Sequence, residues 1–205
     1  MNCAISLRDR KKAATRAALG AAAARLARQL GVEAVTSEAI AAEAGVSTRT
    51  FHNYFSSKEE AVLHEIQLSV QRMVRALHER PVDEPIWDSL EHLAIELLSA
   101  PDSELDYLVA VARLVEESPA LMATRLRMHD QITRVLGEAI AERTGTDVDR
   151  DLYPNLLQVV AGGVMKTVLE LVISGETGGR SRAQLASEAF AMVRAGLPQP
   201  APQDR

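Results

Sequence analysis

The chain has 205 residues, of which 47% are hydrophobic, which is enough for one large domain or for a small domain fused to a larger one. Its single cysteine, Cys3, excludes an internal disulfide framework and a cysteine-based metal cluster within one chain, and it favours a reducing, cytoplasmic setting. The net charge is −5, but the charges are unevenly distributed, because residues 1–60 carry nine Lys or Arg against six Asp or Glu. We therefore expect contact with a polyanion only in this N-terminal part.

The sequence predicts an all-α fold of about nine helices, because apolar residues recur at helical spacing and no segment alternates long enough for a sheet. The first helix runs from about Leu7 to Gln29, is rich in alanine and ends at Gly31. The apolar stripe of this helix is expected to consist of Leu19, Ala23, Leu26 and Leu30.

Two short helices are predicted next, separated by a sharp turn. Thr36 caps the first, which extends through Ala44, Gly45 permits the turn, and Ser47 caps a second helix from Thr48 to about Tyr54. This is the spacing of a helix-turn-helix. The side chains expected to face the core are Ile40, Ala41, Ala44, Val46, Phe51 and Phe55.

The second short helix presents polar side chains of the kind that read the major groove of DNA. Arg49 suits a bidentate contact to guanine, and Asn53 suits adenine. Flanking residues suit phosphate contacts, and a polar surface turn between two core helices is the alternative. The predicted DNA-binding residues are Ser37, Thr48, Arg49, Thr50, His52, Asn53, Tyr54 and Lys58.

The rest of the chain is predicted to form longer helices separated by Pro and Gly breakers. Their expected ranges are about Lys58 to Arg80, Ile86 to Ser99, Glu104 to Glu117, Pro119 to Thr144, Tyr153 to Ser174 and Ser181 to Ala195. We expect a DNA-binding domain at residues 1–63, an effector-binding and dimerisation domain at 64–197, and a disordered Pro-rich tail at 198–205. No membrane contact is expected, because we find no apolar run of the roughly 18 residues that a span needs.

The segment from about Arg8 to Leu63 resembles the DNA-binding domain of TetR-family regulators. The resemblance rests on Ile40-Ala41, Ala44-Gly45-Val46-Ser47, Thr50-Phe51, Tyr54-Phe55 and Lys58. It implies a homodimer that binds a palindromic double-stranded DNA operator, represses transcription, and is released when a small molecule occupies the C-terminal domain. His52 stands where the family usually has a phosphate-contacting tyrosine, and we hypothesise that it adds pH sensitivity.

The effector pocket is expected among the helices from about Ile86 to Leu171, with ordinary core packing as the alternative for each residue. The predicted lining residues are Trp87, Tyr107, Leu108, Val111, Met122, Arg125, His129, Met165 and Leu169. The runs Arg113–Leu121 and Ala141–Gly145 resemble a TetR branch associated with acyl-CoA-like ligands. That resemblance implies an apolar tunnel with Arg side chains at its mouth.

The last two predicted helices are apolar enough to build a four-helix dimer interface across a two-fold axis, with an intrachain core as the alternative. The predicted interface residues are Val160, Val164, Val168, Leu171, Leu185, Phe190 and Val193. Gly162 and Gly163 lie in the middle of a helix, where each costs about 1 kcal/mol relative to alanine. Close approach of another helix is the expected compensation.

An enzyme is not expected, and neither is a metal or a cofactor. The five histidines are scattered without metal-ligand spacing, and the sequence has no phosphate-cradling glycine loop and no nucleophile elbow. The remaining alternative is an activator or architectural DNA-binding protein that has no effector and a filled C-terminal core.

Overall fold

A computed structural model describes residues 6–99 and 102–199, without the side chains of residues 102–108, 130 and 132. Cys3 and most of the predicted tail lie outside the described residues. The helices are α1 (Leu7–Leu30), α2 (Ser37–Glu43), α3 (Thr48–His52), α4 (Lys58–Val62), α5 (His64–Glu79), α6 (Ile86–Leu98), α7 (Asp102–Glu117), α8 (Pro119–Thr144), α9 (Leu152–Ser174) and α10 (Arg182–Arg194). The described residues contain no strand, and the all-α prediction is confirmed.

The predicted single helix from Lys58 to Arg80 is divided into α4 and α5. Leu63 separates them with backbone angles of φ −82° and ψ −3°, while its N–H still donates to the carbonyl oxygen of Glu59 at 3.0 Å. The division is a local change of backbone angle between two helices, which an apolar periodicity does not reveal.

Side-chain caps set the helix starts in the N-terminal part. Thr36 and Ser47 each accept a hydrogen bond from the backbone N–H three residues later, as the sequence predicts. Ser57 does the same for α4, and Ser181 forms a reciprocal capping box with Gln184 at the start of α10. These bonds satisfy amide groups that a helix start otherwise leaves without partners.

The chain forms two compact units that do not follow the predicted boundary at residue 63. The first unit joins residues 1–71 to residues 106–132, and the second joins residues 72–105 to residues 133–205. In the first unit Val111, Val115, Leu121 and Met128 share one buried cluster with the helices α1 to α4. Parts of α7 and α8 therefore complete the core formed by α1 to α4.

The core of the first unit is built around small residues of α1. Leu19, Ala23 and Ala27 are fully buried, whereas the predicted stripe residue Leu30 is 56% exposed. The buried face includes the alanines at positions 22, 23, 24 and 27. Small side chains on this face let the neighbouring helices approach α1 closely.

In the second unit, α10 packs against α6 and α9. The rings of Trp87 and Phe190 lie 4.8 Å apart between centroids, and the Trp87 indole N–H donates to the Phe190 carbonyl oxygen at 3.3 Å. Arg194 on α10 pairs with Asp88 and with Glu91 on α6. The contact between the half-buried Trp87 ring and the buried Phe190 ring, together with these ion pairs, thus fixes α10 on α6.

Helix α9 corrects the expectation that no segment is apolar enough to span a membrane. Its best 18-residue window has a mean hydropathy of 1.8, and only 17% of that window is buried within the structure. Length and composition alone are weak evidence for a span. Lys166 and Glu170 also form an ion pair at 3.3 Å on its exposed side, which charges this half of the helix.

Candidate DNA-binding and effector sites

The turn between α2 and α3 is held from inside by apolar side chains. Ile40 and Ala41 of α2 and the rings of Phe51 and Phe55 are all buried to within 1% exposure. The two phenylalanine rings lie 5.8 Å apart between centroids. Gly45 adopts a φ of +69°, a conformation that glycine takes without steric cost, and this allows the chain to reverse between the helices.

The polar residues of α3 remain on the outside. Arg49, His52 and Asn53 are exposed, so their donor and acceptor groups are available to a ligand. Thr48 is half-buried, and so is Thr50, whose hydroxyl lies 2.8 Å from the hydroxyl of the capping residue Ser47. A recognition helix requires apolar side chains on its core-facing side and accessible polar groups on its exposed side, and this segment has both.

The two remaining predicted contacts near α3 are also half-buried. Ser37 is the first residue of α2, and Tyr54 follows the end of α3 and packs against the buried cluster. A helix start and the turn after a recognition helix are positions from which phosphates are contacted.

Lys58 has a different role from the predicted phosphate contact. Its ammonium group donates to the carbonyl oxygens of Val32 at 2.9 Å, Glu33 at 3.3 Å and Val35 at 2.9 Å. An ammonium has three N–H donors, and these contacts occupy all of them. Lys58 therefore ties the start of α4 to the loop before α2, and the structure corrects its place among the DNA-binding residues.

A second set of contacts at α4, made by Arg16 of α1, was not predicted from the sequence. The Arg16 guanidinium lies 4.7 Å from the centre of the Phe55 ring and pairs with Glu60 at 3.1 Å. The other carboxylate oxygen of Glu60 accepts from the backbone N–H and the hydroxyl of Ser56, each at 2.8 Å. These contacts fix the turn after α3, and so the direction in which α3 is presented.

His64 is a buried histidine in the same unit, with 6% of its surface exposed. A Cβ on Gly20 would lie 2.8 Å from the His64 ring, so this glycine is required for α1 to pack there. Burial is the main cause that lowers the pKa of His64 below its usual 6.5, and Arg16 lowers it further, whereas the hydrogen bond to Gln67 opposes the shift. A lone buried histidine next to a glycine gives no recognisable sequence signal.

The predicted effector residues are distributed over both units. Trp87 lines a groove in the second unit, Met165 and Leu169 on α9 are half-buried, and Val111 belongs to the buried core of the first unit. Met122, Arg125 and His129 are exposed on α8, and the side chains of Tyr107 and Leu108 lie outside the described residues. The interpretation of Val111 as a lining residue is replaced by its place in the core.

Arg143 belongs to the second run that resembles the acyl-CoA-associated branch, and both terminal nitrogens of its guanidinium are hydrogen-bonded within the chain. Its guanidinium donates to the carbonyl oxygens of Leu77 at 3.1 Å, Arg80 at 2.8 Å and Pro81 at 2.8 Å, near the end of α5. It also donates to the hydroxyl of Ser89 at 3.3 Å. Arg143 thus closes the C-terminal end of α5 and is not a free anion-binding group.

The structure corrects four of the seven predicted dimer contacts. Val164, Val168, Leu185 and Phe190 are buried within the chain itself, because their helix faces fill the second unit's own core. Leu171 and Val193 are half-buried, and Val160 is 36% exposed. The large apolar side chains that are exposed on α9 and α10 are Leu152, Tyr153, Leu156, Val159, Val160 and Met192.

Three of these exposed side chains, Tyr153, Leu156 and Val160, border an open apolar groove of about 380 Å³. It is lined by Trp87, Tyr153, Leu156, Leu157, Val160, Val193 and Arg194. Among the described residues, no atom of another helix would lie within 4 Å of a Cβ added to Gly162 or Gly163, so the expected close approach of a helix is not seen within this part of the chain. The apolar face of α9 lies toward its N-terminal half, not where the sequence predicts it.

Comparison with known proteins assigns both ends of the chain to one family. The family model described as bacterial regulatory proteins, tetR family, matches residues 19–64, and that of the MftR C-terminal domain matches residues 84–198, more than half of the chain. The HTH-type transcriptional regulator TcmR of Streptomyces glaucescens is 34% identical over 168 residues, covering 79% of this chain and 74% of TcmR. The chain belongs to the TetR family of bacterial transcriptional regulators.

Solved structures share the fold at lower identity. A TetR-family regulator from Rhodococcus aligns with a TM-score of 0.63 at 17% identity, covering 91% of this chain and all of that one. The FadR repressor of Thermus thermophilus, solved with lauroyl-CoA, aligns with a TM-score of 0.52 at 23% identity, covering 92% and 99%. The family combines DNA-binding and ligand-binding domains and acts as dimers, and its members are regulators, which confirms that the chain is not an enzyme.

Proposed function

We propose that the protein is a cytoplasmic repressor that binds a palindromic operator as a homodimer and is released by a small, largely apolar effector of the acyl-CoA type. The observation that carries the proposal is the construction of α3. Arg49, His52 and Asn53 are exposed, while Phe51 and Phe55 behind them are fully buried. Such a helix holds polar groups at fixed positions against base edges.

The roles of the operator contacts follow from the chemistry of the side chains. Arg49 donates both guanidinium N–H groups to guanine O6 and N7, and Asn53 pairs with adenine N6 and N7. Thr48 and Thr50 contact a thymine methyl group or a phosphate, and Ser37, His52 and Tyr54 bind flanking phosphates. Lys58 acts indirectly, by holding the loop at residues 32–35.

The proposed dimer covers the exposed apolar face of α9 with the same face of a second copy. Leu156 is 58% exposed and Val159 is 61% exposed in one chain, and the groove beside them is apolar. A two-fold axis brings the same patch of each protomer together, so that a side chain of one α9 fills the groove of the other. A two-fold dimer carries two recognition helices, which suits the two half-sites of a palindrome, about 34 Å apart on DNA.

The proposed effector acts through α7 and α8. Val111, Val115 and Leu121 share their core with the helices α1 to α4, so a shift of α7 or α8 repacks the DNA-binding unit directly. The lauroyl-CoA bound by the Thermus relative supports an acyl-CoA-type ligand. The proposed lining residues on these two helices are Tyr107, Leu108, Met122, Arg125 and His129.

Selection of genomic DNA fragments by the purified protein tests operator binding. The proposal expects enriched fragments that share one palindrome. Arg49→Ala should weaken binding to that palindrome at least tenfold and relax the preference at one symmetric base pair, because a bidentate pair contributes about 1–3 kcal/mol of discrimination. No shared motif, or equal binding by Arg49→Ala, contradicts the proposal.

Titration with long-chain acyl-CoA in a mobility-shift assay tests the effector. The proposal expects loss of the shifted complex as the acyl-CoA saturates the protein, with free coenzyme A as a control that leaves the complex intact. A complex that persists at saturation overturns the acyl-CoA proposal. In that case the protein still binds its operator, and the result favours a regulator that does not respond to acyl-CoA.

Light scattering of two matched variants tests the dimer. Leu156→Asp places a carboxylate on the proposed interface, and Leu126→Asp places one at a similarly exposed position of α8. We expect a monomer for Leu156→Asp and a dimer for both the wild type and Leu126→Asp, because burying an unpaired charge opposes association. A monomeric wild type at micromolar concentration contradicts the interface.

A further inference from the structure

The N-terminal half of α1 extends beyond the packed part of its unit. Residues 7–14 are exposed, and the first buried residue of the helix is Leu19. At 1.5 Å per residue, the twelve residues before Leu19 extend for about 18 Å. The tetR-family match begins only at residue 19, so this half of α1 lies outside the matched DNA-binding segment.

This extension, residues 7–14, is termed the basic arm. It carries Arg8, Arg10, Lys11 and Lys12, and Asp9 is its single acid. Within the part of the chain that the structure describes, no side chain of these four cations pairs with a carboxylate. Unpaired cations on an unpacked helix favour a polyanionic ligand over a role in folding.

The basic arm is held in helical form by its own sequence. The Ser6 side chain accepts from the Asp9 N–H at 3.1 Å, and its hydroxyl donates to the Asp9 carboxylate at 2.7 Å. An acid in the first turn also favours the helix dipole, and alanines follow the basic residues. The cap presents the cations at fixed helical spacing without tertiary contacts.

Contacts between α1 and the following helices fix the direction of the arm. Arg16 pairs with Glu60, and four residues later Gly20 contacts His64, so α1 runs parallel to α4 and the start of α5. One turn back along α1 from Arg16, Lys12 lies toward the N-terminal end of α4. The arm therefore continues in the direction of the segment that joins α3 to α4.

The four cations fall on two faces of α1. At 100° per residue, Lys12 and Arg8 lie within about 40° and 80° of Arg16, the residue that faces α4. Arg10 and Lys11 lie about 120° and 140° away from Arg16, on the opposite side. The first pair is therefore nearer to the face of α1 that contacts α4.

We propose that the basic arm is a second DNA-contacting surface, in which Arg8 and Lys12 bind the phosphate backbone of the duplex that flanks the sequence read by α3. The inference rests on the proposed operator binding. The contact involves phosphates only, so it adds affinity and salt dependence without adding base preference.

The experiment compares two charge-matched double variants of the full chain on the selected operator. Arg8→Gln with Lys12→Gln removes the proposed contacts, and Arg10→Gln with Lys11→Gln removes two charges from the other face. Binding is measured by fluorescence anisotropy at several salt concentrations. Glutamine keeps the helix propensity of the arm, and thermal unfolding of each variant checks the fold.

We expect the first double variant to bind at least tenfold more weakly at low salt. Its plot of log affinity against log salt should be shallower by about 2 for each bound arm, since each phosphate contact contributes about 0.9 to the slope. The second double variant should retain most of the wild-type slope. Trimming the duplex to the palindrome should reduce wild-type binding toward that of the first variant and leave the first variant unchanged.

Two failures are distinguishable. A wild-type protein that selects no operator contradicts the proposed function itself. If the wild type binds its operator and both double variants lose the same affinity and slope, the effect is one of net charge, and the proposed phosphate contact by Arg8 and Lys12 is overturned.

Discussion

The helix-turn-helix segment and helix α9 place their apolar residues in opposite ways. In the first, Ile40 and Phe51 have no exposed surface and the polar groups face outward. In α9, Leu156 and Val159 expose more than half of their surface. The first region is complete within one chain, whereas the second needs another apolar surface to cover it.

Truncating an apolar residue in each region tests this contrast with the largest expected effect. Phe51→Ala should lower the free energy of unfolding by about 3–5 kcal/mol, because it empties a fully buried ring position. Leu156→Ala should act mainly through dimerisation, so its cost should depend on protein concentration. Urea unfolding at two protein concentrations measures both, and a cost for Leu156→Ala that is independent of concentration would contradict the contrast.

Lys58 and Arg49 separate a supporting role from a DNA-contacting role. Lys58→Met should lower the free energy of unfolding by about 2–3 kcal/mol, because carbonyl groups at the loop before α2 lose a charged donor. Arg49→Ala should leave stability within about 0.5 kcal/mol, because its side chain is exposed, and should weaken operator binding. Thermal unfolding measures the stability of each variant, and fluorescence anisotropy measures its operator affinity. An unchanged stability for Lys58→Met would contradict the supporting role and favour a phosphate contact by Lys58.

Two glycine-to-alanine changes sharpen the comparison of packing. Gly20→Ala should destabilise the protein by about 1–2 kcal/mol, because the added Cβ meets the buried His64 ring. Gly162→Ala should stabilise α9 by up to about 1 kcal/mol, because no other helix of the described residues would lie within 4 Å of the added Cβ. Denaturant unfolding compares them, and light scattering of Gly162→Ala shows whether a partner helix approaches this position.

The smallest expected effect is a dependence of stability on pH through His64. Burial lowers the pKa of His64 below 6.5, so the unfolded chain gains a proton at a higher pH than the folded chain. The free energy of unfolding should therefore fall as the pH drops below about 6.5, until the pH reaches the pKa of the folded state. His64→Gln should flatten this part of the pH profile, and a wild-type profile that stays flat from pH 7 to pH 5 would contradict the assignment.

The sequence predicts the helices well because caps and breakers mark their ends. Thr36 and Ser47 cap α2 and α3 as expected, and Pro119–Thr144 has the predicted bounds. The inward residues Ile40 and Phe51 were identified from spacing alone, since a helix-turn-helix needs small or apolar side chains at those positions.

The remainder depends on tertiary contacts that periodicity does not encode. From the sequence, Lys58 is predicted to contact a phosphate. The structure shows instead that its ammonium group donates to three backbone carbonyl groups. Val164 and Phe190 are as apolar as a dimer contact must be, and only packing shows that they face their own chain. Val111 of α7 packs in the same core as α1 to α4, although these residues are distant in sequence.

Native mass spectrometry of the protein with a selected palindromic duplex tests the central claim most directly. A homodimeric regulator predicts two protomers for each duplex, and the complex should be lost for Arg49→Ala and for Leu156→Asp but kept for Leu126→Asp. One protomer bound to each duplex, or a complex that is indifferent to both changes, would contradict the account.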